Sequence, residues 1–394
     1  MEIKDLKKIF IEYFGGSEAD LRIFTSPGRV NLIGEHTDYN GGYVFPAALT
    51  LSSTVIARPR KDRQINLIAT DLKIMVNASL DNMEKYKDLK WGNYQLGVAD
   101  ELQKAGYSLT GCDMLFHDTV PLGSGLSSSA AIEVVTAITL VTLGNEHSGT
   151  NKVVDMVEMA KISQIAEHNY IGVKCGIMDQ FASAMGKANH AIFLNCKDLN
   201  FKHVPLVING YKIVIGNTKV KRSLAGVKYN ERREECEKGL EILKSAIPEA
   251  TCLGDISMEQ FNKFKHLITD EVVRKRVEHV IAEDDRVLRS VEALKSNDIS
   301  EFGKLMIASH NSLRDLYEVT GVELDTMVEE ALKIEGVIGA RMTGAGFGGC
   351  TVSIVREDAV DKFIQQVGTN YEKRVNLKPE FYVSEIGDGG REVK

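Results

Sequence analysis

The sequence predicts an α+β protein made of two closely apposed domains. The chain has 394 residues, which is more than one hydrophobic core usually organises. Strand-like and helical segments are both present, but they do not alternate in the strand–helix–strand order of a doubly wound sheet. The composition becomes more charged near residue 200, and no low-complexity linker lies there. We therefore expect an N-terminal domain over residues 1–200 and a C-terminal domain over residues 201–394.

The predicted elements follow in chain order. An amphipathic helix opens the chain, with Ile3, Leu6, Ile9, Phe10 and Tyr13 on one face. Strands are predicted over residues 54–57, 65–69, 74–76, 112–117, 191–194 and 211–216. Helices are predicted over residues 91–105, 127–143 and 152–170, with a charged helical region over 228–289. A strand–turn–strand pattern over residues 339–355 closes the chain.

Composition excludes several classes of function. The hydrophobic content of 43% and charged content of 26% are typical of a globular protein. The net charge of -7 and the lack of a long basic run argue against nucleic-acid or membrane partners. We see no uncharged apolar run of about 20 residues and no signal peptide, so we expect a cytoplasmic location. The six cysteines form no CxxC pair, which indicates free thiols.

The segment from Ser26 to Tyr43, SPGRVNLIGEHTDYNGGY, contains the densest group of chemically active side chains. Arg29, Glu35, His36 and Asp38 lie among four glycines. Carboxylates and an imidazole close together on a rigid turn suit the binding of a sugar's vicinal hydroxyls. The alternative is a glycine-rich surface turn with solvated charges.

A second feature is the segment PLGSGLSSSAA, residues 121–131. Gly123 and Gly125 let the backbone approach an anion closely, and Ser127 to Ser129 open a long apolar helix. A helix N-terminus offers unpaired N–H groups and partial positive charge to a phosphate. The serine hydroxyls can cap the helix, contact phosphate oxygens or bind Mg²⁺. The segment is not a Walker P-loop, because it has no lysine. A glycine turn with serine caps remains the alternative.

Two carboxylates and a glycine cluster complete the candidate site. Glu167 and Asp179 lie twelve positions apart across a turn, so one can bind Mg²⁺ while the other faces an acceptor hydroxyl. A solvated glutamate and a helix-capping aspartate are the alternative. Gly344, Gly346 and Gly349 match GxGxxG, but a β-branched strand follows instead of the helix that a dinucleotide fold requires. We therefore expect a loop that closes over the other site components.

Together these segments resemble the galactokinases of the GHMP small-molecule kinase family. GRVNLIGEHTDYNGG is similar to the galactokinase signature, PLGSGLSSSAA to the family's ATP-binding motif, and TGAGFGGC to its third motif. CGIMDQF and the segment over residues 217–229 are similar too. The resemblance extends from about residue 20 to the C-terminus. It implies two α+β domains with the active site in the cleft between them.

The resemblance also implies an activity and roles for individual residues. The activity is ATP-dependent phosphorylation of the anomeric hydroxyl of α-D-galactose, with Mg²⁺ as cofactor, in galactose catabolism. Asp179 would accept the hydroxyl proton, and Arg29 would lie beside it and the transferring phosphoryl group. The sugar would be held by Glu35, His36, Thr37, Asp38, Gly176 and Tyr229. The ATP phosphates would be held by Gly123, Ser124, Gly125, Leu126, Ser127, Ser128 and Ser129. Ser129 and Glu167 would bind Mg²⁺.

Three alternatives stay open beside this interpretation. Family members that act on mevalonate or homoserine lack the GEHTDYNGG signature, whereas N-acetylgalactosamine is harder to exclude as the substrate, because its binding depends on the space near the sugar's C2. A non-catalytic galactose sensor is the rival from another class, and such paralogues have lost residues from the GLSSSAA turn, which is complete here. Trp91 and Tyr94 are weaker candidates for the adenine pocket. We expect a monomer.

Overall fold

The computed structural model describes residues 1–150, 153–220 and 225–393, and within them the chain forms α-helices and three β-sheets. The helices are α1 (Ile3–Phe14), α2 (Asn93–Lys104), α3 (Ser128–His147), α4 (Met156–Ala166), α5 (Met178–Met185), α6 (Ala225–Lys244), α7 (Met258–Phe264), α8 (Glu271–Lys295), α9 (Ile299–Ser312), α10 (Gly321–Leu332) and α11 (Val360–Val375). The strands are β1 (Arg22–Asn31), β2 (Tyr43–Val44), β3 (Pro46–Pro59), β4 (Gln64–Ala69), β5 (Val76–Ser79), β6 (Cys112–Asp118), β7 (His190–Asn195), β8 (Phe201–Pro205), β9 (Tyr211–Asn217), β10 (Val337–Thr343), β11 (Cys350–Arg356), β12 (Glu380–Ser384) and β13 (Arg391–Val393).

The largest sheet has six strands in the order β13-β1-β3-β6-β4-β5. Its pairs are antiparallel except β4 with β6. Helices α2, α3 and α4 contribute to the core against one face, where apolar residues from strands and helices form one buried cluster. Leu6 and Phe10 of α1 are buried in a smaller cluster with Ile56, Ile68 and Leu115, whereas Tyr13 remains 41% exposed.

The second large sheet has the order β10-β11-β9-β12 and is antiparallel throughout. Helices α9, α10 and α11 pack beside it. A smaller sheet joins β2, β7 and β8. β13 returns from the end of the chain to pair with β1, and β8 pairs with β7 across residue 200. The division into domains at residue 200 stays a prediction, because strand pairs cross it.

Helix α3 is apolar and long enough, by composition alone, to cross a membrane. Within the described residues, however, 72% of its most apolar window is buried inside the protein. It packs against β1, β3 and the helices α2, α4 and α5. Its hydrophobicity is therefore that of a central core helix, and its first turn faces the candidate site.

The predicted elements differ from the observed ones mainly at their ends. The strand predicted over 74–76 begins only at Val76, and α2 begins at Asn93 after a short 3-10 turn. The start at Lys152 of the helix predicted over 152–170 lies outside the described residues. That α-helix ends at Ala166, where a π-helical turn, Glu167–Ile171, continues it. The charged region divides into α6, α7 and α8.

Candidate active site

Half of the predicted site residues line one cavity of about 550 Å³, whereas Thr37 and the predicted phosphate-binding residues 123–129 do not line it. Eight of the predicted site residues line it: Arg29, Glu35, His36, Asp38, Glu167, Gly176, Asp179 and Tyr229. Gly344 and Ala345 of the C-terminal glycine loop line it as well. The cavity is thus built from both halves of the chain, between β1, α5, α6 and the β10–β11 loop.

An irregularity in the pairing of β1 with β3 lies directly before Arg29. Pro27 pairs with Ser52 and Arg29 with Ala48, so the extra residues belong to β3, and such register shifts redirect the neighbouring side chains. Gly28 of β1 lies at this irregularity, where a Cβ would be only 2.5 Å from the carbonyl oxygen of Leu126. This close approach lets the Arg29 N–H donate to the same carbonyl at 3.0 Å. Glycine at position 28 therefore holds the strand against the predicted phosphate turn.

Asp179 is the centre of the polar network at the cavity. Arg29 donates to its Oδ1 through Nε at 2.8 Å and lies 2.6 Å from it through Nη2. Ser127 donates to its Oδ2 at 2.6 Å, and Arg29 Nη1 donates to the Gly125 carbonyl at 2.7 Å. Arg29 is 3% exposed. The buried guanidinium therefore ties the predicted proton acceptor to the predicted phosphate turn.

The predicted phosphate turn, residues 123–129, offers mainly backbone groups to a bound phosphate. Gly123, Gly125 and Ser127 all have positive φ, with values of 68°, 83° and 62°, and α3 begins at the next residue. Ser124 donates to the Pro121 carbonyl at 2.7 Å, and Leu126 is fully buried in the core. Any phosphate contact of these two residues therefore has to come from their backbone. Ser128 and Ser129 are half-buried in the first turn of α3.

A buried pair of glutamates lies beside Asp179. Gln180 donates through Nε2 to Glu167 at 2.7 Å and to Glu133 at 3.0 Å. Burial and then the negative charge of Asp179 raise the pKa of Glu167 to about 7. Burial and the neighbouring Glu167 raise the pKa of Glu133 well above its usual value. One oxygen of Glu133 is buried without a hydrogen-bond partner among the described residues. This concentration of carboxylates suits a cation.

Glu35 connects the two halves of the chain. It accepts a hydrogen bond from the Gly344 N–H at 2.8 Å and one from Arg341 Nη1 at 3.3 Å. Burial raises the pKa of Glu35, whereas Arg341 and Arg29 act in the opposite direction. Gly344 also approaches the phosphate turn, because its Cβ would lie 3.2 Å from the Gly125 carbonyl. The glycine loop thus closes against both the sugar segment, as we call residues 26–43, and the phosphate turn. Strand β11 follows the loop, as expected where the glycines do not form a dinucleotide-binding motif.

Asp38 and Gly176 form the opposite wall. A Cβ on Gly176 would lie 1.8 Å from Asp38 Oδ2, so only glycine lets this carboxylate occupy its position. Burial, reinforced by Asp179, raises the pKa of Asp38 to about 7. The Tyr229 ring lies 5.7 Å from His36 between ring centroids. Residues 221–224, part of the segment that resembles galactokinases before Tyr229, lie outside the described residues.

Thr37 does not line the cavity. It is fully buried, and its hydroxyl approaches the carbonyls of Gly34 and Tyr43 at 3.0 and 2.6 Å. Its side chain shapes the turn that carries Glu35 and Asp38.

Of the two weaker candidates for the adenine pocket, Trp91 packs edge-on against Phe116. Burial and then Glu167 and Glu133 raise the pKa of Tyr94, which places it near the glutamate pair.

Sequence reasoning missed the ion pairs that support the sugar segment. Arg341 is fully buried, and its Nη2 lies 3.9 Å from Glu283 Oε1. The same Glu283 oxygen accepts from the N–H groups of Gly34 at 3.0 Å and Glu35 at 3.3 Å. Burial opposes ionisation of Glu283, but the positive charges of nearby Arg286 and Arg341 lower its pKa to about 2. The sequence feature that could have identified Arg341 is a charged residue inside an otherwise apolar strand. Glu133 has the same feature, because it lies inside the apolar helix α3.

Comparison with known families agrees with this geometry. A family model described as the galactokinase galactose-binding signature matches residues 8–59. Models for the N-terminal and C-terminal GHMP kinase domains match residues 93–187 and 290–373. A galactokinase from Clostridium tetani is 47% identical over 100% of this chain and 98% of its own length. The chain belongs to the galactokinase family of GHMP kinases. The resemblance found in the sequence is therefore confirmed.

Further relatives and solved structures support the same family and fold. The Bacillus subtilis galactokinase is 45% identical, with 99% of each chain covered. The crystal structure of Lactococcus lactis galactokinase complexed with galactose matches with a TM-score of 0.94 at 41% identity, covering 99% of this chain and 100% of the other. The Methanococcus jannaschii mevalonate kinase matches with a TM-score of 0.63 at 20% identity, covering 93% and 98%, which shows the shared fold alone. The α+β GHMP kinase fold is confirmed.

Proposed function

We propose that this protein transfers the γ-phosphoryl group of ATP to the anomeric hydroxyl of α-D-galactose, giving α-D-galactose 1-phosphate and ADP. The observation that carries the proposal is the Arg29–Asp179–Ser127 network, which joins the sugar-facing cavity to the glycine turn at the start of α3. Full-length relatives named galactokinase, and one solved with galactose, support the substrate and the reaction. The predicted galactokinase activity in galactose metabolism is confirmed at this level.

The residues divide the work between positioning and charge stabilisation. Phosphoryl transfer passes through a loose transition state, so in-line positioning and neutralisation of charge supply most of the catalysis. Asp179 orients the anomeric hydroxyl and takes its proton, while the buried guanidinium of Arg29 faces the charge that develops on the phosphoryl group. The N–H groups at the start of α3 and the turn before it bind phosphate oxygens. These roles rest on the observed contacts of Arg29, Asp179 and Ser127.

Mg²⁺ fits the carboxylate-rich side of the cavity. The carboxyl groups of Glu167, Glu133 and Asp179 lie close together there, and the raised pKa values of Glu167 and Glu133 mean that a bound cation would favour their ionised forms. Among the described residues, one oxygen of Glu133 has no hydrogen-bond partner. Within the described ranges no group of three or more His, Cys, Asp or Glu has metal-binding geometry. Mg²⁺ in such sites commonly takes one or two ligands from the protein, and substrate phosphates and water supply its other ligands. Glu167 and Ser129 would hold it, and its charge would neutralise the ATP phosphates.

Sugar choice follows from the buried polar groups around the cavity. A site that hydrogen-bonds a particular hydroxyl rejects the epimer that leaves its buried partner unsatisfied. Glu35, His36 and Asp38 are buried or nearly so, and each lines the cavity. N-acetylgalactosamine is the alternative substrate, and a sensor without turnover is the alternative function. The complete turn with Asp179 and Arg29 in contact favours the enzyme.

A coupled assay for ADP release tests the proposal. Galactose, N-acetylgalactosamine and glucose are each supplied with ATP and MgCl₂, and each assay is repeated with EDTA. We expect turnover with galactose alone, and its loss with EDTA. Faster turnover of N-acetylgalactosamine would change the substrate, and galactose binding without ADP release would favour the sensor. Monomeric state and cytoplasmic location stay predictions, for which size-exclusion chromatography with light scattering and cell fractionation are the measurements.

A further inference from the structure

A chain of hydrogen bonds leads from the sugar-facing cavity into the helical half of the protein. His36 Nδ1 lies 2.9 Å from the Tyr39 hydroxyl, which lies 2.8 Å from the Tyr317 hydroxyl. The Tyr317 hydroxyl lies 3.2 Å from Cys236 Sγ. His36 is 4% exposed, and both Tyr317 and Cys236 are fully buried. Water therefore has little access to most of this chain, and its members have to satisfy one another.

The other nitrogen of His36 is left for a ligand. His36 lines the cavity, and its Nε2 is buried without a hydrogen-bond partner in the described part of the protein. Burial lowers the pKa of His36 to about 3, so the ring is neutral at physiological pH. A neutral imidazole has one donor nitrogen and one acceptor nitrogen. The hydrogen bond at Nδ1 therefore decides what Nε2 offers to the cavity.

The chain has two possible directions. In the first, Cys236 donates to Tyr317, Tyr317 donates to Tyr39, and Tyr39 donates to Nδ1, so that Nε2 carries the proton. In the second, every bond is reversed, and Nε2 becomes an acceptor. Each tyrosine hydroxyl has only one proton to donate. If the donor and acceptor exchange roles in one hydrogen bond of the chain, the neighbouring bonds therefore reverse as well.

The acidity of the two partners favours the first direction. A phenol hydroxyl is a stronger acid than a neutral imidazole N–H, and an imidazole nitrogen is a stronger base than a phenol oxygen, so the Tyr39–His36 bond is better with Tyr39 as donor. Because the Tyr39 proton then lies in the bond to Nδ1, the Tyr317 hydroxyl donates to Tyr39, and Cys236 donates to Tyr317.

We infer that Tyr39 and Tyr317 are positioning residues that hold His36 in the Nε2–H tautomer, so that His36 donates a hydrogen bond to a sugar oxygen. The inference rests on the proposed function for the identity of the ligand, and it deepens that function by assigning the polarity of one sugar contact. The state of His36 itself is a property of the free protein. It can therefore be measured whether or not galactose is the substrate.

His279 supplies an internal reference for this measurement. Its Nε2 lies 3.2 Å from the Glu35 carbonyl, which can only accept, and its Nδ1 lies 2.8 Å from the Ser312 hydroxyl. Burial lowers the pKa of His279 to about 4, so it is neutral too. Its tautomer is therefore Nε2–H by geometry.

The experiment is a long-range ¹H–¹⁵N correlation spectrum of the full-length protein labelled with ¹⁵N-histidine, which distinguishes protonated from unprotonated ring nitrogens. His36→Gln and His279→Gln serve only to assign signals. We expect His36 to show a protonated Nε2 and an unprotonated Nδ1, as His279 does. A protonated Nδ1 on His36 would overturn the inference, even in a protein that phosphorylates galactose normally.

Two variants test whether the tyrosines set this state. Tyr39→Phe keeps the ring and removes the link to Nδ1, so we expect mixed His36 tautomers and a rise in galactose KM of about 3- to 10-fold, with kcat within about twofold. Tyr317→Phe should have the same effects, but smaller. The matched control is Tyr371→Phe, which removes a buried hydroxyl that donates to the Thr218 carbonyl at 2.9 Å outside the chain. An unchanged His36 signal and KM in Tyr39→Phe would refute the positioning role.

Discussion

Replacing Gly176 by alanine tests the geometry of the proposed sugar site with a single methyl group. The new Cβ would lie 1.8 Å from Oδ2 and 2.2 Å from Cγ of Asp38. Non-bonded carbon and oxygen atoms stay about 3.3 Å apart even in close contacts, so the carboxylate has to move by roughly 1.5 Å. The turn around Asp38 is held by backbone bonds from Gly41 and Gly42, which directs the displacement into the side chain.

The displacement is large enough to decide sugar binding. A misplacement of about 1 Å in a group that positions a substrate costs about 100-fold in rate. We therefore expect kcat/KM for galactose to fall about 100-fold, equivalent to about 2.7 kcal/mol of lost transition-state stabilisation. KM for ATP should change little, because Gly176 faces Asp38 rather than the phosphate turn. Gly176 has no positive φ, so alanine adds no backbone strain at this position.

The assay measures ADP release against galactose and against ATP, together with thermal unfolding. Gly368→Ala in α11 is the matched control, because its Cβ would contact only one side-chain atom, at 3.2 Å, on the Phe381 ring. We expect that control to keep its activity. If Gly176→Ala keeps kcat/KM within threefold of the unsubstituted protein, the packing of Asp38 against Gly176 does not set the sugar site. If Gly176→Ala does not fold, the argument that the Asp38 side chain absorbs the displacement is also refuted.

Three further predictions concern charged side chains. Asp179→Asn should lower kcat by about 10²- to 10⁴-fold while galactose still binds, because it removes the proposed proton acceptor; calorimetry and turnover together check this, and turnover like that of the unsubstituted protein would exclude the role. Asp38→Asn should stabilise the sugar-free protein increasingly between about pH 4 and pH 7. The pKa of Asp38 is raised from 3.8 to about 7 on folding, so ionising it as pH rises through this window removes stability that asparagine retains, by at most about 1.4 kcal/mol per pH unit. Thermal unfolding of both proteins across pH measures this, and a difference independent of pH would contradict it. Arg341→Ala should destabilise the protein by about 3–5 kcal/mol in urea unfolding, because it leaves the buried carboxylates of Glu35 and Glu283 short of a counter-charge; a loss below about 1 kcal/mol would mean that the pairs contribute little.

The elements that the sequence predicted well are those set by local chemistry. The first turn of α3 follows from two glycines and a serine run, since positive φ and free N–H groups are properties of neighbouring residues. The β10–β11 loop was distinguished from a dinucleotide motif by the strand after its glycines. Element ends were less accurate. The α-helix that reaches Ala166 continues as a π-helical turn carrying Glu167, and no local pattern marked that change.

The supporting residues could not be found in the same way, because their partners are distant in sequence. Glu283 lies in a segment that looks like a solvated charged helix, yet it is fully buried and binds the N–H groups of Gly34 and Glu35. Tyr317 carries no sequence signal at all for its place behind His36. Such roles depend on which helix packs against the turn, and long-range packing determines that.

By itself, the sequence determined the family, the α+β class and the reaction, and it predicted the residues that would meet substrate, because recognition chemistry is concentrated in short glycine-containing segments. Only the tertiary structure decided how those segments are held: Arg29 against Asp179, Asp38 against Gly176, and Glu35 against the glycine loop. The physical reason is burial. Charges and polar hydrogens that leave water need partners, and the fold supplies those partners from positions that are far apart in the chain.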